Sequence, residues 1–543
     1  MPMDVDKMQT KLASWSQDPD YRFDDIYNLV YDRDWLRRAY SKVEDNSGSR
    51  TAGVDGQTME DFEEELEGNL QELRKSLKSQ SFDPKPVRRT YIPKGDDEER
   101  PLGIPTIKDR IVQEALRMVL EPIYESDFSD KSFGFRPNRC TMDAIKSVYS
   151  NMAPEFVYRP WIIDADIKGF FDNVDHRTLE QIIQDRITDQ KMRDLIWDFL
   201  RAGIMEDGIF RHSELGTPQG GIVSPVLANV YLNELDQWIK KWTDHSKNER
   251  VSRWEEGKPS WSFVRYADDF LILTDGSKET AEKMLNRVGG FVKEELNLEL
   301  SDKKTELVHA TDGIDFLGYH LESRERTGGV MRTVPEEAIK DVREKVTEAT
   351  NGRTDVSIRS KYKALNSVTT GWANYYKYAT NASRVFNDLD SYVWQKLTHW
   401  LAEKFKCSRG EIVNKVENPD TLKLNGIGRT QLEDLAESGR YGEVHQGSNP
   451  YLEGEGLKRE ELFESDPWLA KAEDYEEWKD SRWKTLEGDD WTCQKCGREI
   501  KGSSAHVHHK KPRKSYSDTT RADREDNLIS LCERCHSELE SNR

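Results

Sequence analysis

The chain has 543 residues, 35% hydrophobic and 34% charged, with a formal net charge of -20. That length exceeds a single core and points to three or four modules. A mean hydropathy of -0.85, with no apolar run of about 18 residues, excludes a membrane-spanning helix, and the acidic balance taken alone argues against a polyanionic partner.

The opening stretch from Met1 to Trp15 is polar and mixed in charge, without the basic and apolar regions of a secretory signal. The chain therefore reads as cytoplasmic. Residues 1 to about 80 follow a charged helical pattern, broken by the turn signal Gly53-Val-Asp-Gly56. Arg89-Thr-Tyr-Ile-Pro-Lys94 reads as a strand, Gly95 to Arg100 as a polar tip, and Pro101-Leu-Gly-Ile-Pro105 as a returning arm whose prolines favour a sheet edge. Ile111, Ala115, Met118 and Val119 then recur at helical spacing.

Trp161-Ile-Ile-Asp-Ala-Asp166-Ile167 predicts a strand, and His176 to Phe199 a helix. Thr217-Pro-Gln-Gly-Gly221 predicts a loop that opens a helix through Tyr231. Phe263 to Leu273 predicts two short strands around the polar turn Tyr266-Ala-Asp-Asp269. Strands and helices that do not alternate regularly indicate an α+β domain.

From Pro335 the pattern is helical. The stripes are Ile339/Val342/Val346, then Leu365/Val368/Trp372, then Phe386/Leu389/Val393/Leu397/Trp400/Leu401, which predict a three-helix bundle. Residues about 403–480 are polar and weakly periodic, and read as a loosely structured connector with DNA contacts of its own.

Two adjacent carboxylates on a hairpin turn are costly unless neutralised, and Mg2+ is the hard, oxygen-seeking ion that suits them. Asp166 ends another predicted strand about a hundred residues earlier, and two-metal phosphoryl transfer needs carboxylates that hold ions roughly 3.5–4 Å apart. Near the C-terminus, Cys493-Gln-Lys-Cys496 and Cys532-Glu-Arg-Cys535 read as two knuckles of a structural Zn2+ site. Between and beside them stand His508, His509, Asn527 and His536. Cys140 and Cys407 stand alone and are expected to be buried as small apolar residues.

These blocks carry a family resemblance. Tyr266-Ala-Asp-Asp269 with Asp166-Ile-Lys-Gly-Phe-Phe171 resembles the palm of reverse transcriptases. Arg100-Pro-Leu-Gly-Ile-Pro105, Ser132-Phe-Gly-Phe-Arg-Pro137, Thr217-Pro-Gln-Gly-Gly221-Ile-Val-Ser-Pro225, Lys304-Thr305 and Phe316-Leu-Gly-Tyr319 resemble, in that order, the blocks of group II intron-encoded proteins. Gly371-Trp-Ala-Asn-Tyr-Tyr-Lys377 resembles the maturase signature, and the histidine–asparagine–histidine set resembles HNH nucleases.

The resemblance implies an α+β multidomain protein: right-hand fingers and palm over 1–330, a three-helix thumb or maturase region over 331–402, the connector over 403–480, and a small ββα-metal HNH domain with zinc knuckles over 481–543. It implies that Asp166 and Asp268 ligate two Mg2+ ions with help from the Ile167 carbonyl, and that Asp269 supports them. Lys94 and Arg100 would clamp the triphosphate, Phe171 would exclude a 2′-hydroxyl, Gln219 would meet the incoming sugar, and Lys304 the primer end or triphosphate. Acidic residues in the tip, Gly95 to Glu99, would weaken that clamp at low salt.

In the nuclease, His508, His536 and Asn527 would surround a divalent ion, Mg2+ or similar, with His509 as general base. A plain zinc ribbon is the alternative. Lys377 and Arg384, with Lys361 and Lys363 nearby, would meet RNA phosphate beside aromatic rings; Trp372 is expected to pack the bundle instead. The partners implied are group II intron RNA, target DNA and dNTPs, with a homodimer among the assemblies allowed. The activities imply splicing assistance and retrohoming by cutting DNA and copying intron RNA. An acidic chain with that role fits a halophile, because at molar salt the Debye length is only about 3 Å and distant acidic charges barely repel a polyanion.

Overall fold

The structure, a computed structural model, describes residues 3–46, 48–94, 98–153, 158–206, 209–211, 216, 220–245, 249, 253, 255–324, 329–352, 354–424, 428–437, 449–452, 485, 492–496, 505–509 and 528–532. The side chains of 93–100 lie outside that description.

An N-terminal helical layer forms from Val5–Ser16 and Arg33–Glu44, which pack on the helix Ile107–Tyr124, with Leu66–Lys78 packed in turn on Arg33–Glu44. Asp32 caps the second of these through the Asp34 and Trp35 amides, an arrangement that offsets otherwise unpaired donors. The predicted helical positions Ile111, Ala115, Met118 and Val119 are at most 1% exposed. Gly53 is obligatory, because a Cβ there would stand 2.6 Å from Thr106 Cα.

Strands β1 (Val87–Lys94) and β2 (Glu98–Ile104) form an antiparallel hairpin. The returning arm thus begins at Glu98, earlier than the prolines suggest. With β3 (Trp161–Ala165) set aside, β4 (Ile204–Glu206) and β5 (Ile209–Arg211) extend that hairpin in the order β2-β1-β4-β5, which leaves the proline-bearing β2 at an edge. The single helix expected over His176 to Phe199 is two, His176–Gln184 and Gln190–Arg201. Asp189 makes the break: its carboxylate caps the second helix and also accepts from the Ile26 and Tyr27 amides.

The central sheet contains β3, β6 (Trp261–Tyr266), β7 (Asp269–Thr274) and β8 (Glu306–His309), in the order β6-β7-β3-β8 and antiparallel throughout. Side chains alternate across it. Ile163, Ala165, Phe263, Phe270 and Ile272 enter a core shared with the N-terminal helices; Ile162, Val264, Leu271 and Leu273 enter a second core shared with the C-terminal helices. One sheet therefore joins both halves. A small sheet of β9 (Ile314–Phe316), β10 (Tyr319–Ser323) and β11 (Val330–Thr333) follows.

The helices Glu336–Thr350, Ile358–Tyr376 and Ala382–Phe405 fulfil the three stripes. Phe386, Leu389, Val393, Leu397, Trp400 and Leu401 are each at most 2% exposed, and each such burial contributes about 1.5–3 kcal/mol.

The following segment is better ordered at its start than its composition suggests. Arg409–Lys415 is helical, Tyr362 donates to the Leu422 carbonyl at 2.5 Å, and Arg429 pairs with the nearly buried Asp390. Farther on, Tyr451 donates to Glu121 Oε1 at 2.6 Å and ties the segment to Ile107–Tyr124. Cys140 and Cys407 are half-buried rather than buried; Cys140 precedes the helix Thr141–Met152 as its cap. Strands β12 (Ala505–His509) and β13 (Leu528–Cys532) pair antiparallel. Among the described residues no helix is long and apolar enough to cross a membrane.

Candidate active site

The β6–β7 hairpin closes through a two-residue turn, Ala267-Asp268, that sets Tyr266 opposite Asp269. Ala267 takes a φ of 58°, a left-handed conformation that costs a non-glycine residue about 1–3 kcal/mol unless its surroundings impose it. The surroundings do. Arg265 Nη1 donates to the Ala267 carbonyl at 2.9 Å and to Asn229 Oδ1 at 3.0 Å. Its remaining donors form a two-pronged pair with Asp236 at 2.6 and 2.7 Å, with both side chains fully buried. Asn229 passes the link on to the Gly134 carbonyl at 2.9 Å. Gly134 itself lies against the turn, where a Cβ would come within 2.4 Å of Ala267 N. The Ser132–Pro137 block is thus a backbone support for the carboxylate turn, which explains its glycine.

Asp166 follows β3 directly. Residues 299–301 run beside it: Ser301 N donates to the Asp166 carbonyl at 2.8 Å and Lys168 N to the Glu299 carbonyl at 2.9 Å. That course brings Lys304 Nζ to 3.2 Å from Asp166 Oδ2. Asp269 lies within hydrogen-bonding reach of Asp166, and its carboxyl is pushed up to about 6 by the protein packed around it, then by the charges of Asp268 and Asp166, against the opposing Lys304. Asp166, Asp268, Asp269 and Lys304 therefore gather at one end of the sheet. Ile167 is buried beside them and bridges to Leu300.

Asp164 was not foreseen as part of this group. It sits two residues before Asp166 and so shares its face of β3, and burial followed by the charges of Asp269, Glu306, Asp166 and Asp315 pushes its carboxyl up to about 7. The alternation in Trp161 to Ile167 carried that signal. Among the described residues no three or more His, Cys, Asp or Glu side chains form a ready metal cluster. The donor set nonetheless fits a hard divalent cation: all-oxygen ligands whose mutual repulsion an added positive charge would relieve.

Around this centre, Phe171 is half-buried and meets Phe135 edge-on at 6.5 Å between ring centroids. Lys94 and Arg100 stand on the two arms of the β1–β2 hairpin, with Arg100 opposite Ile92. Gln219 lies outside the described residues, but its neighbour Gly220 does not. There φ is 106°, and a Cβ would stand 2.3 Å from the Gly103 carbonyl, so the loop backbone touches β2.

The maturase-type helices require one correction, at Lys361. Lys361 is turned inward, donating to the Ala349 and Asn351 carbonyls at 2.8 and 3.2 Å; it caps a helix end and is not a phosphate contact. Lys377 is engaged within the chain by Glu437 at 2.8 Å and by the Tyr378 ring, and the Glu437 bond raises its ammonium pKa. Arg384 and Lys363 are exposed. Trp372 packs on Tyr376 and Phe386, as expected of a core residue.

In the last module, Cys493 is buried and Cys496 exposed. Gln494 N donates to the Ser530 carbonyl at 3.0 Å and brings the segment Cys493–Cys496 to β13, which ends at Cys532. In the register of β12 with β13, His508 faces Ile529 and His509 faces Leu528. Asn527, Cys535 and His536, and the side chains of His508, His509 and Cys532, lie outside the described residues.

Three family models match the chain: "Reverse transcriptase (RNA-dependent DNA polymerase)" over residues 92–321, "Group II intron, maturase-specific domain" over 339–416, and "HNH endonuclease" over 493–542. Protein YkfC of Escherichia coli K12 is 36% identical over 360 residues, which cover 62% of this chain and 94% of YkfC. The group II intron-encoded protein LtrA of Lactococcus lactis subsp. cremoris is 36% identical over 358 residues, covering 57% of this chain and 58% of LtrA. An uncharacterized 91 kDa protein in the cob intron of Schizosaccharomyces pombe is 28% identical over 455 residues, 72% of this chain and 55% of that protein. The chain thus spans little more than half of the latter two. Three matched regions in this order on one polypeptide, with identity running through nearly all of YkfC, make this chain a member of the group II intron-encoded proteins, with reverse transcriptase, maturase and HNH endonuclease domains.

Proposed function

We propose that the chain binds its own group II intron RNA, assists its splicing by holding the RNA's active fold, cuts target DNA with the HNH module and copies the intron RNA from the cut end. The observation that carries the polymerase reading is the gathering of Asp166, Asp268 and Asp269 with Lys304 at one end of the central sheet. The domain partition that goes with it is fingers and palm over 1–330, thumb over 331–402, connector over 403–480 and nuclease over 481–543.

In this reading Asp166 and Asp268, with the Ile167 carbonyl, hold two Mg2+ ions and Asp269 supports them. Bound there, Mg2+ would supply charge neutralisation and polarisation of the reacting phosphate. The chain's own residues do the rest. Lys94 and Arg100 bind the triphosphate as cationic clamps. Phe171 closes the space that a ribose 2′-hydroxyl would need, and Gln219 orients the sugar. Lys304, now paired with Asp166, would be the cation that meets the phosphate or the primer end once Mg2+ neutralised that carboxylate. At the nuclease site His509 takes a proton from water, and His508, Asn527 and His536 hold the divalent ion. Cys493, Cys496, Cys532 and Cys535 hold Zn2+, whose binding contributes folding energy to a module with little core. Lys377, exchanging Glu437 for phosphate, and Arg384, with Lys363 nearby, are the thumb cations that meet RNA phosphate.

Primer extension on an RNA template, with and without Mg2+ and across KCl concentrations, tests the polymerase reading. Incorporation should require Mg2+ and should tolerate or require high KCl, as an acidic protein adapted to a salt-rich cytoplasm would. Incorporation without divalent ions would refute the metal assignment, and an optimum near about 0.1 M KCl would refute the halophilic one. Replacing His509 with Ala should lower DNA cutting by about 10²–10⁴-fold, the usual worth of a general base, with extension of a supplied primer unchanged. Cleavage at the wild-type rate would reject it as the base.

A further inference from the structure

The motif Gly371 to Lys377 contains two adjacent tyrosines with different surroundings. Tyr376 is 7% exposed and packs on Trp372 and Tyr319. Tyr375 is 40% exposed, yet both its polar ends are engaged by the β9–β10 hairpin, one by the turn and one by the first residue of β10. Its hydroxyl donates to the Leu317 carbonyl at 2.6 Å, and its own carbonyl accepts from the Tyr319 hydroxyl. That turn is in an unusual shape, with Leu317 at φ 47° and Gly318 at φ 72°. A Cβ on Gly318 would stand 3.2 Å from Tyr376 Oη and 3.5 Å from Tyr375 Cε1. The helix Ile358–Tyr376 therefore moulds a turn that the leucine would not adopt unaided.

The contact continues toward the carboxylates. The Tyr375 hydroxyl is also within hydrogen-bonding reach of Thr141, and Thr141 Oγ1 lies 3.5 Å from the Tyr266 hydroxyl. Tyr266 opens the turn that carries Asp268. Three hydroxyls thus run from the maturase helices, through the first residue of Thr141–Met152, to the catalytic hairpin.

We propose that Tyr375 is a positioning residue that latches the thumb to the palm, holding the β9–β10 turn and the Tyr266–Asp268 turn in one fixed relation during successive additions. The proposal rests on the palm reading above. Its physical content is a competition: after each addition the primer end either reacts again or leaves, and slack between thumb and palm favours leaving without altering how a dNTP is bound. Stacking of the Tyr375 ring on a nucleic-acid base is the rival role, and it needs the ring but not the hydroxyl.

The test uses the full chain on a DNA primer annealed to an RNA template, with Mg2+ and an excess of unlabelled duplex as trap. Tyr375→Phe should shorten the mean run length by about fivefold, the scale of one lost hydrogen bond, with the dNTP KM and the melting temperature unchanged. Thr141→Val should shorten runs similarly, and the double variant should do little more than either single change, because both interrupt one chain of contacts. Wild-type run lengths in Tyr375→Phe would overturn the latch and favour ring stacking. Effects that multiply in the double variant would overturn it as well. A wild-type protein that extends no primer takes down the palm reading and the latch together, whereas normal wild-type extension with an indifferent Tyr375→Phe removes only the latch.

Discussion

Asp268→Ala should abolish cDNA synthesis, with a loss of about 10²–10³-fold or more, the scale seen when a group facing developing charge is removed. Asp268 occupies the second position of the turn that Ala267 opens at φ 58°, and its charge is one of those that raise the Asp269 carboxyl to about 6. Removing it takes away a candidate ligand while leaving intact the buried supports of the turn, Arg265, Asp236, Asn229 and Gly134, so the fold should persist. It should also bring Asp269 back toward its ordinary range, since one like-charged neighbour is gone. The measurement is primer extension on an RNA template with Mg2+, paired with intron RNA binding by filter retention. Binding should be preserved and incorporation lost. Undiminished incorporation would mean that the three aspartates are not the catalytic set.

Arg265→Met should destabilise the polymerase region by roughly 3–5 kcal/mol, the cost of leaving a buried partner charge uncompensated. Arg265 and Asp236 are each fully buried and bonded at 2.6 and 2.7 Å, so neither can recover by meeting water. The same change frees the Ala267 carbonyl and Asn229 Oδ1, which removes what holds Ala267 in a left-handed conformation, so activity should fall further than stability alone predicts. A paired change, Arg265→Met with Asp236→Leu, should recover much of the stability, because an apolar pair of similar volume avoids the buried charge. It should not recover the activity, because the bond to the turn is still missing. Urea unfolding followed by tryptophan fluorescence, alongside extension assays, reads both. A stability loss under about 1 kcal/mol for the single change would show that the pair is not the support assigned to it.

These two predictions draw on different kinds of information. The turn that carries Asp268 was legible from the chain, because two apolar runs flank a short polar stretch. Arg265 was not. In the sequence it is one polar residue in an apolar strand, and Asp236 is one acid on a helix; only folding brings them within 2.6 Å in a place without water. Lys361 shows the opposite failure. Its neighbours in sequence suggested a phosphate contact, but the end of the preceding helix takes up its charge. A lysine in a sequence gives no sign of which way its long side chain will turn.

The sequence by itself determined the local elements and the order of chemical blocks: the hairpin with its proline-bearing edge, the carboxylate turn and three helical stripes. Such features depend on spacing between near neighbours, which alternation and helical periodicity record directly. Tertiary structure alone decided what each block rests on: Gly134 beneath Ala267, Lys304 turned onto Asp166, Tyr375 reaching Leu317, and Tyr451 returning to Glu121. Those relations join residues separated by tens to hundreds of positions, and they arise from which apolar faces the central sheet must cover on its two sides, a condition that no stretch of neighbouring residues contains.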